Sequence, residues 1–207
     1  MLIHRVLALG LCACALSGTE VSAADGPTGG LVVGANISSP HLTGSDATGI
    51  STGGRAGLFI GGFALMPLTD VVAIQPEVAY SQKHFTLRDT VGSFTATEKW
   101  DWIEVPILAH ARFWHTGDRS VYVVGGPGFG FLARAKEEAA GTTSDVKDDV
   151  RHVDVSIIAG AGVSMGKFGV EARYDGGLKD LNKDNNLGDN LTVKSRTIRV
   201  DLTWMIR

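Results

Sequence analysis

The sequence lacks the devices that usually hold a small exported domain together. Its two cysteines, Cys12 and Cys14, both lie among the first 23 residues, so no disulfide supports the remainder, although small exported domains with thin cores commonly need one. No stretch stays apolar for the ~18 residues that suggest a membrane-spanning helix. The histidines, including His41, His84, His110, His115 and His152, show no H-x-x-x-H spacing of the kind that binds zinc. Positive charge is also in short supply. The net charge is −3 and the pI about 6.0, which disfavours a nucleic-acid binder with a basic face. Glycine, by contrast, is abundant: 27 of 207 residues, nearly twice the average of about 7%. It follows no Gly-X-Y period, which excludes a collagen helix.

Residues 1–23 read as a secretory signal peptide. His4 and Arg5 precede the apolar run Val6 to Leu16, and the segment closes on the small-residue site Val21-Ser22-Ala23. Cleavage is expected after Ala23, leaving 24–207 as one barrel domain. Leu11-Cys12-Ala13-Cys14 loosely resembles a lipoprotein site, but the apolar run before it is too short.

The rest of the chain alternates with a period of two, the period of side chains on a strand. In "RTIRVDLTWMIR", Ile198, Val200, Leu202, Trp204 and Ile206 form one set, while Thr197, Arg199, Asp201 and Thr203 belong to the other. Seven further stretches are read as strands, beginning near Leu31, Arg55, Val71, Ala96, Val121, Val150 and Val170. The phase of the second is ambiguous because "GLFIGGFALM" is apolar on both parities. Trp100 and Trp102 fall on a charged parity, which suggests a bulge or phase change. Connections alternate between tight turns and long polar loops. Strands of about ten alternating residues, tied by short turns on one side and long loops on the other, describe an outer-membrane barrel. In lipid every backbone N–H and C=O needs a partner, so the sheet must close on itself. The expected fold is all-β: a closed, antiparallel, eight-stranded, up-and-down transmembrane β-barrel. Its Leu31–Ser38 strand is expected to pair with the strand around Val200. A soluble lipocalin-like barrel inverts the faces, and the unbroken apolar parities favour the membrane form.

The segments "GLFIGGFALMPLTDVVAIQPEVAYSQKHF", "WIEVPILAHARF", "GGPGFGFLARAKEE", "IIAGAGVSM" and "VEARYDGGLKDL" resemble successive strands of the outer-membrane β-barrel porin family, often called PorT-like. The likeness spans Gly30 to Arg207 and is carried by the order of Gln75-Pro76-Glu77, Ile103-Glu104-Val105-Pro106, Gly126-Pro127 and Glu171-Ala172-Arg173-Tyr174. It implies an eight-stranded barrel in the outer membrane of a diderm bacterium, without enzyme activity. One departure is Trp204-Met205-Ile206-Arg207, where such barrels commonly carry a terminal aromatic residue.

The lumen-facing parities collect Glu77, Glu104, Asp154, Glu171, Asp175 and Asp201 with Lys83, Arg112, Arg134, Arg173 and Arg199, and His110 nearby. Charges inside so narrow a barrel persist only when paired. They are expected to form a near-neutral structural network, with Arg173 and Arg199 bridging Glu104, Glu171 and Asp201. Bulges are expected at Pro76, Pro106 and Pro127, since proline cannot donate to a ladder. Aromatic girdles are expected from Phe113, Trp114, Phe168 and Trp204 at the short-turn end, and from Tyr80, Trp100, Trp102, Phe131 and Tyr174 at the other. "VDVSIIAGAGVSMG" lacks the helix a dinucleotide loop requires. "DLNKDNNLGDN" lacks the Gly and Glu of an EF-hand. No local Ser/His signature of a lipid hydrolase is present. No cofactor, metal or catalytic residue is therefore assigned. The expected role is structural or surface-interacting, with a narrow pore for small solutes as the alternative and a lipid-modifying barrel enzyme behind both. The expected partners are outer-membrane lipid, the barrel-insertion machinery and an external ligand or surface met by the loops, with the chain a monomer.

Overall fold

The computed structural model describes residues 26–89, 94–183 and 190–206. The expected cleavage site at Ala23 and the residue Arg207 lie outside them. Eleven strands follow in order: β1 (Thr28–Ser38), β2 (His41–Thr43), β3 (Ile50–Pro67), β4 (Val72–Asp89), β5 (Thr95–Thr116), β6 (Arg119–Ala139), β7 (Thr142–Asp145), β8 (Val153–Met165), β9 (Phe168–Gly177), β10 (Thr192–Lys194) and β11 (Arg196–Ile206). Eight of them, β1, β3, β4, β5, β6, β8, β9 and β11, pair antiparallel in that cyclic order. The ring is completed by β1 on β11, running from Gly29 opposite Ile206 to Ser38 opposite Thr197. Each stave therefore has two neighbours, as hydrocarbon demands.

The alternation sorts the two faces as expected. Along β11, Thr197, Arg199, Asp201 and Thr203 are buried in the lumen, while Ile198, Val200, Leu202 and Trp204 are exposed outward. In β3 the ambiguous phase resolves with Phe59 and Phe63 inward and Leu58 and Ile60 outward. Phe113, Trp114, Phe168 and Trp204 stand exposed at the short-turn end. Trp100 and Trp102 do not join the opposite girdle: they keep the inward parity of β5 and are buried.

Glycine supplies room inside. Gly30 lies directly across from Phe63, and Gly162 across from Tyr122. In both pairs a methyl group on the glycine would sit within 2.4 Å of the ring, so each ring lies over the bare backbone of its neighbour.

The prolines do not make bulges. Register is carried unchanged from Pro76 opposite Ile107 to Ala79 opposite Glu104, and Pro127 pairs Ile157 within an unbroken ladder. Each proline forfeits one donor, but the flanking pairs keep the staves aligned. Register shifts fall instead between Gly54 and Phe59, between Asp101 and Trp102, and between Arg112 and Trp114.

The staves are unequal. β3 to β6 run for 18 to 22 residues, whereas β1, β8, β9 and β11 run for 10 to 13. One wall thus stands taller than the other. The polar run after β6 extends that wall: Ala140 and Gly141 take positive φ values of 49° and 79°, turning the chain tightly so that β7 pairs back on β6.

Candidate functional site

The interior holds three storeys. The lowest is a vestibule of about 650 Å³, whose lining includes Thr69, Asp70, Gly166 and Arg112 from the short-turn end. Its lining also includes Gln75, His110, Tyr122 and Glu171. The His110 ring stacks on Tyr122 at 4.3 Å and 20°, and its Nδ1 lies 2.9 Å from Gln75 Oε1.

The middle storey is ionic. Between β9 and β11 the register sets Arg173 opposite Arg199, and Glu171 opposite Asp201. Like charges directly opposite repel. Here the repulsion is answered along each strand, because residues two apart share a face. Arg173 Nε donates to Glu171 Oε1, and Arg199 Nε donates to Asp201 Oδ2 at 2.8 Å. Arg173 then reaches across the lumen with both remaining nitrogens to Glu77, at 2.8 and 2.7 Å. This fork is the strongest geometry available to the pair. Arg199 lies with its guanidinium 3.7 Å from the Phe59 ring centroid and 3.6 Å from Glu104 Oε2. Glu104 also meets Lys83 at 2.8 Å, and Lys83 lies 3.5 Å from Asp175. The predicted bridges from Arg173 to Glu171 and from Arg199 to Glu104 and Asp201 are therefore present as contacts. Glu77, the hub that joins Arg173 and Arg199, was absent from that predicted set of bridges.

Two predicted members lie elsewhere. Arg134 is on the outside of the barrel. The bulge that sets Asp101 opposite Arg134 but Trp102 opposite Leu132 leaves Ala133 as an extra residue, so the parity of β6 inverts above it. Arg134 forks onto Asp101 at 2.7 and 2.5 Å with its own side chain half exposed. Arg112 sits exposed beside another bulge and donates to the Asp70 carbonyl. Six buried carboxyl groups, those of Glu77, Glu104, Asp154, Glu171, Asp175 and Asp201, thus share three buried cations, Lys83, Arg173 and Arg199. The interior is richer in acid than the near-balance expected from parity.

The upper storey is an apolar cap. Phe85, Trp100, Trp102, Leu132 and Ala135 from the staves pack with Val150, Leu181, Leu191 and Val193 from the long loops. β2 pairs β10 above it, and Val150 bridges Asn182. At its edge Trp100 Nε1 donates to Glu98 at 3.0 Å, and Glu98 lies directly across from Glu137. Burial pushes the Glu98 carboxyl up to about 7, and the Glu137 charge adds to this against the indole hydrogen bond. Val150, Leu181 and Leu191 stand singly in polar loops, and Val193 in the three-residue β10, where no periodicity marks them.

Among the described residues no group of three or more His, Cys, Asp or Glu side chains is arranged to hold a metal ion.

Residues 21–183 match the outer membrane protein beta-barrel domain family. The chain belongs to that family. It is an integral barrel of the bacterial outer membrane. Similar solved structures include Ail of Yersinia pestis in complex with the heparin analogue sucrose octasulfate, at 14% identity over 88% of this chain and 100% of that one, with a TM-score of 0.43. Neisserial surface protein A is similar at 14% identity over 87% and 99%, with a TM-score of 0.47. OprG of Pseudomonas aeruginosa is similar at 7% identity over 88% and 98%, with a TM-score of 0.48. No curated protein matches the sequence.

Proposed function

We propose that the chain is a non-enzymatic barrel with a structural role in the envelope, whose tall wall and long loops present a surface outside the cell. The observation that carries this reading is the filled interior: a charge network across the middle and an apolar cap above it, both built largely from rigid staves. A lumen occupied in this way serves as a strut, and the ion pairs hold the staves in register. The porin-like resemblance fits the same scaffold without requiring conduction. The barrel acts as a monomer delivered by the insertion machinery after cleavage at Ala23, so the mature protein should begin at Ala24. Single-channel recording in planar bilayers tests the central claim. The expected result is no opening above leak, and a stable unitary conductance would overturn it.

The vestibule on the short-turn side favours one second reading, a narrow pore whose outer exit is shut by the cap. That reading predicts conductance in a Trp102→Ala barrel but not in the wild type.

A further inference from the structure

The outer face of the tall wall changes character abruptly, and the registers show where. Tyr80 lies across from Ile103, Ile103 from Phe131 and Phe131 from Val153. This is an apolar row over four staves, with Ile103, Phe131 and Val153 exposed. One outward position higher, Gln82 lies across from Asp101 and Asp101 from Arg134. One position higher again, His84 lies across from Lys99 and Lys99 from Lys136. Within two outward positions the surface passes from hydrocarbon-compatible to charged, with three basic side chains interleaved with Asp101, Glu138 and Asp145. That step of four residues rises roughly 10 Å along the tilted strands, enough to pass from the hydrocarbon into the headgroup layer.

The placement of the charges is unusual. Lys99 and Lys136 are direct cross-strand partners, an arrangement that is destabilising unless an anion lies between them. Glu138 takes Lys99 at 2.5 Å, and Lys136 has Asp145 of β7 directly across from it on its other side, although among the described residues no ion pair is formed by Lys136. Arg134, just below, is held by both its Nε and Nη2 on the buried Asp101 carboxylate. This fixes the guanidinium while leaving its edge exposed. The result is a preset triad of Lys99, Arg134 and Lys136, continuous with the lipid-facing surface.

We propose that this triad binds the phosphate groups of an outer-leaflet lipid headgroup, with the acyl chains of the same lipid lying on the Tyr80–Ile103–Phe131 row. The apolar row fixes the ligand as a lipid. The spread of three cations over two rows of β5 and β6 suits a headgroup carrying more than one phosphate. Asp101 is the positioning residue for Arg134. The proposal rests on the outer-membrane location and not on any role of the loops in surface contact.

The test uses the mature barrel refolded in detergent and exposed to a diphosphorylated lipid A, to the same lipid with both phosphates removed, and to inorganic phosphate alone. Lipid retention is read by native mass spectrometry. Retention of the phosphorylated lipid is expected to exceed that of the dephosphorylated one. In a Lys99→Gln/Arg134→Gln/Lys136→Gln barrel, affinity should fall by roughly a hundredfold, taking about a factor of five for each basic side chain at an anionic surface. Heat-modifiable gel migration should be unchanged, showing that the variant folds. A fixed guanidinium predicts that Asp101→Asn weakens retention with all three cations still present. Equal retention of the two lipids, an unaffected triple variant, or full competition by inorganic phosphate would each overturn the proposal. None of these outcomes bears on conductance or on surface contact.

Discussion

The middle and upper storeys of the barrel are filled by opposite chemistries, and they meet where Lys83 Nζ lies 5.9 Å from the Trp102 ring centroid. Below that level, order comes from shared charge: three cations pair with five of the six carboxyl groups, so each cation supports several partners. Above it, order comes from apolar contact, and four of the nine buried residues come from the connections between staves. The ionic storey can fail only together with the barrel. The cap can loosen locally, since loop segments sit at the low end of the stability range.

Removing Arg173 should break the contrast hardest. Arg173→Ala leaves Glu77 and Glu171 without their principal cation, and breaking a buried pair in this way costs about 3–5 kcal/mol. A urea titration followed by gel migration measures it, and an unshifted midpoint would dispose of the structural role assigned to the network. Leu181→Ala acts on the other storey. It should cost about 2–3 kcal/mol, seen as faster protease nicking of the outer loops while the barrel itself resists.

A change of pH sharpens the comparison because Glu98 belongs to the cap. Its carboxyl is raised from 4.5 to about 7 by burial and by Glu137, so the folded cap prefers the protonated form. That stabilisation is complete below 4.5 and is lost as pH rises through about 7. Loop proteolysis should therefore accelerate between those values, and Glu98→Gln should flatten the profile. An unchanged profile in that variant would assign the pH dependence to another group. The smallest effect belongs to the exposed Lys99–Glu138 pair. Glu138→Gln should leave the unfolding midpoint where it is, since exposed pairs are worth little.

Much of this architecture is legible in the sequence. Alternation marks the faces of β4, β8, β9 and β11 residue by residue, and closure of β1 on β11 follows from the need to satisfy every backbone group. Two features leave no such mark, and a third, the polar parity of Trp100 and Trp102, points to the bulge between Asp101 and Trp102 but not to the cap. Ala133 is an ordinary residue, yet as the extra residue of a bulge it moves Arg134 from lumen to exterior. Trp100 and Trp102 sit on a polar parity because the cap above the membrane needs apolar groups inside, where the storey below needs charge. Leu181, Leu191 and Val193 reach the same cap from the connections between staves, where burial depends on tertiary contact alone.

The seam between β1 and β11 has a kinetic consequence. Ser38 Oγ and Thr197 Oγ1 meet at 2.9 Å across 159 residues of chain, so one edge of β1 stays unpaired until β11 arrives. Contacts of such long sequence separation are reached slowly, since the entropy of closing the loop is spent before any contact is gained. In hydrocarbon the waiting edge has no water to bond. Assembly is therefore pressed towards a concerted step, in which the staves enter the membrane as the ring closes.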